Sequence, residues 1–169
     1  MKHSADFEMF IQELRSSDGI VRERARTKLA SIGKPAVPRL VVLLSDRNPQ
    51  LRWEACKTLG TIPDADAARP LAMALSDESE AVRWVASEAL IAHHRDALEP
   101  ILQILEARFE SPYVREAAYH VLRELERQNL LSKEEVVLLK LLHFPEPKIS
   151  IAMAAHEALR VIRSSVPSL

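Results

Sequence analysis

Six histidines and a single cysteine are the first side chains of this 169-residue chain to consider as metal ligands or as a nucleophile. His93 and His94 are adjacent, so on a helix they would point about 100° apart and make poor joint ligands. No HxxxH motif or carboxylate cluster accompanies the histidines. Cys56 is predicted to be fairly accessible, but no histidine near it could serve as its base. We therefore expect no metal, no cofactor and no catalytic residue, and an inert thiol.

Four arginines recur at a similar spacing along the chain, namely Arg22, Arg52, Arg83 and Arg115. A row of guanidinium groups could bind phosphates. Alternatively, each could be paired inside the fold, because a partly buried guanidinium needs a carboxylate or carbonyl partner and its planar fork suits both. We favour the second interpretation, a structural arginine ladder.

These arginines belong to a sequence pattern that occurs five times. Each copy has an apolar anchor residue, and these are Val21, Leu51, Val82, Val114 and Ile151. Alanine follows four positions later in every copy (Ala25, Ala55, Ala86, Ala118, Ala155), and leucine eight positions later (Leu29, Leu59, Leu90, Leu122, Leu159). The anchors are 30, 31, 32 and 37 residues apart. This period is typical of stacked helix pairs, and the i, i+4, i+8 spacing puts the three residues on one buried helical face.

Capping residues and prolines mark where the helices begin. Asp18, Asn48, Ser79 and Ser111 stand three residues before their anchors and are predicted N-caps. Pro38, Pro70 and Pro100 mark the first turns of the alternate helices. Ser132 and Glu135 form a capping box. The pattern predicts ten helices, near residues 6–15, 19–32, 35–44, 49–61, 65–75, 80–93, 96–109, 112–128, 133–142 and 148–162.

The residues two and six positions after each anchor point away from the buried face, at about 200° and 240° on the helical wheel. They place two tryptophans on adjacent helices. We predict a partner-binding surface of Trp53, Trp84, Glu23, Lys57, Glu88, Glu116 and His120. In the alternative interpretation each tryptophan simply lies along its own repeat and covers a neighbour's backbone.

The fifth copy of the pattern is less regular than the others. Its first helix is apolar nearly all round, and Met153 stands at the outward position of its second helix. We predict a docking or self-association surface that includes Val137, Leu138, Leu141 and Met153. Alternatively, the segment Phe144 to Lys148 and the tail Ser164 to Leu169 fold back and cover this surface.

Composition limits the class of protein. Hydrophobic residues make up 47% of the chain and aromatic residues 5%, which favours a single all-α domain. The formal net charge of -1 makes nucleic-acid or membrane-surface binding unlikely. The lone cysteine and the absence of a signal-peptide or membrane-spanning run favour a cytoplasmic protein.

The segments LVVLLSDRNPQLRWEACKTLG and LAMALSDESEAVRWVASEAL resemble HEAT repeats, particularly the short bacterial type also found in phycobilisome-lyase subunits. The resemblance implies an all-α, right-handed α-solenoid whose second helices line a concave face. It also implies that the ladder arginines pair with turn aspartates, for which Asp18, Asp46 and Asp77 are candidates. We predict one domain over residues 1–169, with repeats at 6–32, 35–61, 65–93, 96–128 and 133–162 and a tail at 163–169.

HEAT-like stacks serve several functions, so the fold does not fix the activity. The sequence favours a non-enzymatic scaffold or adaptor that binds a protein or peptide on its concave face. The alternative is an auxiliary lyase-type subunit that handles a tetrapyrrole, as the resemblance to phycobilisome-lyase proteins implies. A nucleic-acid-binding protein is disfavoured, because the outward rows mix acidic and basic side chains.

Overall fold

The computed structural model describes residues 2–143 and 148–164, with the side chains described from residue 7 onward. The described parts of the chain contain ten α-helices and no strand. The helices are α1 (Lys2–Glu13), α2 (Gly19–Ile32), α3 (Val37–Leu43), α4 (Pro49–Leu59), α5 (Ala68–Ala74), α6 (Glu80–Ala92), α7 (Leu98–Arg108), α8 (Pro112–Arg127), α9 (Lys133–His143) and α10 (Lys148–Ser164). The predicted all-α class and ten helices are confirmed. Short 3-10 turns at Lys34–Ala36, Ala65–Ala67 and His94–Ala97 replace the expected first turns of α3, α5 and α7.

The predicted caps hold the starts of the second helices. Asp18, Asn48 and Ser111 accept hydrogen bonds from the first-turn amides of Ile20, Gln50 and Val114 at 2.8, 2.9 and 3.4 Å. Ser79 occupies the cap position, but its side chain makes no capping bond. Its own amide instead donates to the carboxylate of Asp77, at 2.8 Å. Ser132 and Glu135 form the predicted capping box.

The repeated alanines and leucines form the centre of the core. All five alanines and all five leucines are buried, as are four of the five anchors, Val21 being half-buried. Small residues also let α4 and α6 approach closely: a Cβ atom on Gly60 would lie 2.8 Å from both Cα and Cβ of Ala89. The two helices are therefore in close contact at this joint.

The first eight helices form four pairs in two rows. The second helices, α2, α4, α6 and α8, pack side by side in chain order. The first helices lie on the other side, each against the second helix of its own pair. We call α2, α4, α6 and α8 the inner row, and α1, α3, α5 and α7 the outer row.

The last pair enters the stack in the reverse order, which corrects the expectation that its second helix, α10, lies in line with α2, α4, α6 and α8. Helix α10 packs along α7 and α9, while α9 lies against α8. Helix α9 therefore takes the inner-row place and α10 the outer-row place. Contacts across both joints agree: His156 of α10 pairs with Glu106 of α7 at 2.7 Å, and Tyr119 of α8 bonds His143 of α9 at 3.1 Å.

The connection between α8 and α9 and the composition of α9 account for this reversal. Helix α8 runs for 16 residues, against 11 for α4 and 13 for α6, and Asn129 follows it with a φ of 58°. Asparagine tolerates this left-handed conformation and turns the chain sharply. The stretch 136–142 of α9 is apolar except at Lys140, and it buries Leu138 and Leu139. Such a stretch is stabilised by packing on more than one side.

Candidate functional site

Tryptophans on α4 and α6 mark the candidate site on the inner row. Both stand two residues after their anchors, where the helix turns its side chains away from the outer row. Trp84 is 59% exposed and Trp53 is half-buried. A tryptophan exposed to this degree is unusual, because the side chain loses much of the free energy that burial of its rings would provide.

Trp84 is held in place by a neighbour from the next helix of the row. The imidazole of His120, on α8, stacks on the indole with ring centroids 4.9 Å apart and planes inclined by 27°. Its Nε2 atom lies 2.9 Å from Oε1 of Glu88, which follows Trp84 by one helical turn. The indole is therefore exposed yet oriented by contacts on one face.

Trp53 is fixed from the opposite side, by α2. The guanidinium of Arg26 lies over the indole, 5.6 Å from the ring centroid. The same guanidinium donates to the buried carboxylate of Glu54, which also accepts from Arg22 Nε at 2.6 Å and from Gln50 Nε2 at 2.9 Å. Glu54 was not anticipated. The signal was present, since an acidic residue stands there three positions after the anchor, where later copies have Val85, Ala117 and Ala154.

Both tryptophans line one open groove of about 970 Å³ between α4, α6 and α8, which we call the aromatic groove. Its walls also contain Tyr113, Tyr119, His120, Arg83, Arg123, Glu80, Glu116, Ser79, Ala81, Ser87 and Ala117. The structure thus brings Trp53, Trp84, Glu116 and His120 together as predicted. It does not place Lys57 or Glu88 in the lining, and Glu23 lies outside this groove.

The tyrosines are the residues that sequence reasoning missed. Tyr113 stands one position before its anchor and Tyr119 five positions after it, outside the two rows taken as outward-facing. Tyr113 is 54% exposed and receives the guanidinium of Arg83 at 4.2 Å from its ring centroid. A search for all aromatic residues near the anchors would have found both.

The four ladder arginines have structural contacts, and the predicted aspartate pairing holds at one of them. Each donates to backbone carbonyls six and five residues before it in its own turn. Arg52 also makes a two-bond pair with Asp77, with both distances 2.7 Å. The carboxylate of Asp18 instead caps α2, and that of Asp46 binds Arg15 at 2.9 Å. Backbone carbonyls are therefore the partners common to the ladder.

Cys56 corrects the expectation of an accessible thiol. It is fully buried between helices, because the fold turns its side of α4 towards the core. Burial raises the pKa of the Cys56 thiol to about 12, so the thiolate is scarce near neutral pH. The thiol is therefore poorly suited to nucleophilic chemistry.

The predicted C-terminal surface is only partly exposed. Val137 and Met153 are 54% and 67% exposed, but Leu138 is fully buried and Leu141 is half-buried. Placing Leu138 on this surface was therefore wrong, because that side of α9 packs into the stack. Met153 lies on α10, which occupies the outer-row place in the last pair, and so it is not in the inner row. The segments expected to cover this surface lie outside the described residues, apart from Lys148 and Ser164, so a docking role there stays a prediction.

The described residues contain neither a cluster of metal ligands nor a membrane-spanning helix. No three histidine, cysteine, aspartate or glutamate side chains among them are grouped so that they could hold a metal ion. None of the described helices is both long enough and apolar enough to cross a lipid bilayer.

Comparisons with known proteins give a family and similar solved structures. A family model described as HEAT repeats matches residues 7–91. The complex of CpcE and CpcF of phycocyanin lyase from Nostoc sp. PCC7120 superposes with a TM-score of 0.62 at 25% identity, over 92% of this chain and 98% of that chain. A designed armadillo repeat protein superposes with a TM-score of 0.40 at 21% identity, over 89% and 80% of the two chains. No curated protein sequence matches. On the match over residues 7–91 and the stacked helix pairs, the chain belongs to the HEAT-repeat family.

Proposed function

We propose that this chain is a non-catalytic interaction module, a scaffold or adaptor, which binds a segment of a partner protein in the aromatic groove. The observation that carries the proposal is the grouping of two tryptophans, two tyrosines and His120 along one open groove. Tryptophan and tyrosine are enriched among the residues that contribute most to protein–protein affinity. A groove of about 970 Å³ is large enough to receive several side chains of a partner.

The rigidity of the groove supports the same proposal. Trp84 is stacked on His120, and Trp53 lies beneath Arg26, so neither indole has to be ordered when a partner binds. Ordering a flexible side chain on binding costs about 0.5–1.5 kcal/mol, which pre-oriented rings avoid. The inner row therefore presents aromatic area at a low entropic cost.

The polar groups around the groove favour binding over catalysis. The hydroxyl of Ser87 is buried and donates to the carbonyl of Arg83 at 3.0 Å, and the imidazole of His120 contacts Glu88 and Trp84. A serine nucleophile needs a base within hydrogen-bond reach of its hydroxyl.

The single cysteine is buried, and a lone free thiol suits a reducing compartment. We therefore propose that the chain is cytoplasmic.

A peptide-display selection tests the proposed binding. We expect a random peptide library panned on the protein to yield ligands whose affinity falls at least about tenfold with Trp84→Ala. Met73→Ala is the matched control, because Met73 is also 59% exposed but lies on the outer row. Ligands that bind the Trp84→Ala protein as tightly as the unchanged one would place recognition elsewhere.

A second candidate function is an auxiliary subunit of a bilin lyase. The superposition on the CpcE and CpcF complex over most of both chains favours it. In this case the aromatic groove would hold the flat tetrapyrrole against its rings. Adding phycocyanobilin to the purified protein should then shift the pigment's visible absorption, and Trp84→Ala should reduce the shift. An unchanged pigment spectrum at a large excess of protein would contradict this candidate.

A further inference from the structure

The aromatic groove continues into a second hollow on the same face. This hollow, of about 570 Å³, lies between α2 and α4 and shares Trp53 and Ala81 with the groove. Together they cross α2, α4, α6 and α8. We call the two hollows together the extended groove. Neighbouring helices pack roughly 8–10 Å apart, so three steps span about 24–30 Å, the length of about seven to nine residues in an extended strand.

Most of the positive groups in the extended groove are already engaged. Four arginines line it, namely Arg22, Arg26, Arg83 and Arg123. Arg22 and Arg26 both pair with Glu54. Arg83 donates to the carbonyls of Asp77 and Glu78. Within the described parts of the chain, Arg123 is the arginine of this set that has no hydrogen-bond or ion-pair partner.

Three of the five acidic side chains that line the extended groove remain available, whereas Glu54 pairs with Arg22 and Arg26 and Asp18 caps α2. Glu23, Glu80 and Glu116 line it, all three are exposed, and none has a side-chain partner among the residues that the structure describes. They lie on α2, α6 and α8, so they are distributed along the length of the groove. An incoming segment therefore meets three free carboxylates and one free guanidinium.

The aromatic rings of the extended groove already bind cations within the molecule. Arg26 lies over Trp53 and Arg83 over Tyr113, at 5.6 and 4.2 Å from the ring centroids. A guanidinium or ammonium placed on such a ring gains more when a carboxylate is also within reach. Trp84, which is 59% exposed, offers further ring area in the same groove as Glu80 and Glu116.

From these observations we infer that the extended groove takes an extended peptide segment in which arginine or lysine side chains alternate with apolar ones. This inference rests on the proposed function and adds the chemistry of the ligand. The apolar side chains would pack between the indoles, and the cationic ones would reach the ring faces and the three carboxylates.

The same display selection tests this inference against the proposed function. We expect the ligands that depend on Trp84 to be enriched in arginine or lysine. If Trp84-dependent ligands lack this enrichment, the inference is wrong while the proposed function stands. If no selected ligand depends on Trp84, both are wrong.

Synthetic peptides of about nine residues give the quantitative test, with alternating leucine and either arginine, glutamine or glutamate. By fluorescence anisotropy the arginine peptide should bind at least about tenfold more tightly than the glutamine peptide, and the advantage should shrink as salt is added. Equal affinities for the arginine and glutamine peptides would overturn the inference.

Neutralising acidic and basic residues of the groove should change the affinity for the arginine peptide in opposite directions. The triple change Glu23→Gln, Glu80→Gln and Glu116→Gln should weaken the arginine peptide about tenfold, whereas Arg123→Gln should strengthen it about twofold. Glu126→Gln, at an exposed glutamate of α8 outside the lining, is the control and should leave the affinity unchanged. Circular dichroism checks that each variant is folded. If the folded triple variant binds as well as the unchanged protein, the three carboxylates do not recognise the ligand.

Discussion

The four regular helix pairs and the last pair use the same types of residue but pack differently. From α1 to α8, each second helix lies beside the previous one, and small residues allow close contact, as at Gly60 and Ala89. The pair α9 and α10 keeps the buried anchor, alanine and leucine of the pattern on α10. Nevertheless α10 packs on α7 instead of beside α8.

The difference shows that the three-residue pattern specifies a buried face but not the neighbour it is buried against. In the regular pairs the choice of neighbour is reinforced by the ladder arginines, which bind the next repeat at Glu54, Asp77 or Tyr113. Arg115, the ladder arginine of the fourth copy, donates only to carbonyls of its own turn among the described residues. Without a ladder contact to the last pair, the apolar surfaces of α9 and α10 determine the arrangement.

The largest effect is expected in the yield of a cross-link that identifies the helix packed against α10. With Glu106→Cys and His156→Cys, a short bis-maleimide should cross-link most molecules within one chain, because these side chains meet between α7 and α10. The control pair Glu124→Cys and His156→Cys, which spans α8 and α10, should give little product. Efficient cross-linking of the control pair instead would show that the last repeat continues the regular order. Mass spectrometry after proteolysis identifies the linked positions.

The anchoring of α9 in the inner row should appear as a contrast between adjacent residues. Leu138→Ala should lower the free energy of unfolding by about 3 kcal/mol, because it leaves a cavity at a fully buried position. Val137→Ala, at a position that is 54% exposed, should change it by less than about 0.5 kcal/mol. Urea denaturation followed by circular dichroism measures both. Similar losses for the two variants would mean that α9 is not packed in this orientation.

The close approach in the regular part can be broken at Gly60. Gly60→Ala should cost about 2 kcal/mol, because the new methyl group would lie 2.8 Å from Ala89 and force α4 and α6 apart. Gly19→Ala is the matched control, since its Cβ would meet only Arg22 at an ordinary 3.6 Å. Thermal denaturation of both variants gives the comparison. A stability for Gly60→Ala equal to that of Gly19→Ala would indicate a looser joint.

The smallest effect is expected on stability and its pH dependence, through Asp46 in the turn before α4. The amide of Asn48, and then Arg15, lower the pKa of the Asp46 carboxyl. Because the folded-state pKa lies below the unfolded value of about 3.9, Asp46 contributes stability above that pH and loses it as pH falls further. Asp46→Asn should cost less than about 1 kcal/mol at pH 7 and flatten the stability profile below about pH 4. Asp96→Asn, at an exposed aspartate, is the control, and an equal flattening there would contradict the assignment.

The sequence was sufficient for the helices and the core, because both depend on local spacing. The caps at Asp18, Asn48 and Ser111 and the period of the anchors placed the helix starts correctly. The exposure of Trp84 followed from its angle relative to the anchor. One angle per helix was too coarse for Cys56, which neighbouring elements bury completely.

The groove and the reversed pair depend on contacts between helices, which spacing within one helix does not encode. Trp84 stacks on His120 of the next helix, and the guanidinium of Arg26, on α2, lies over the ring of Trp53, on α4. Likewise, the sequence of α10 fits the pattern, yet its partner is decided by the surfaces available on α7 and α8. Which helices pack together is set by the free energy of the whole fold.

The arginine ladder makes the order of the repeats non-interchangeable. Each joint has its own match: Arg22 with Glu54, Arg52 with Asp77, and Arg83 with the ring of Tyr113. If the second and third repeats exchanged places, Val85 would stand at the position of Glu54 and leave two guanidinium groups without a carboxylate. Exchanging these two repeats would therefore be penalised in this protein. The order of its repeats is therefore constrained by the residues that pair at each joint.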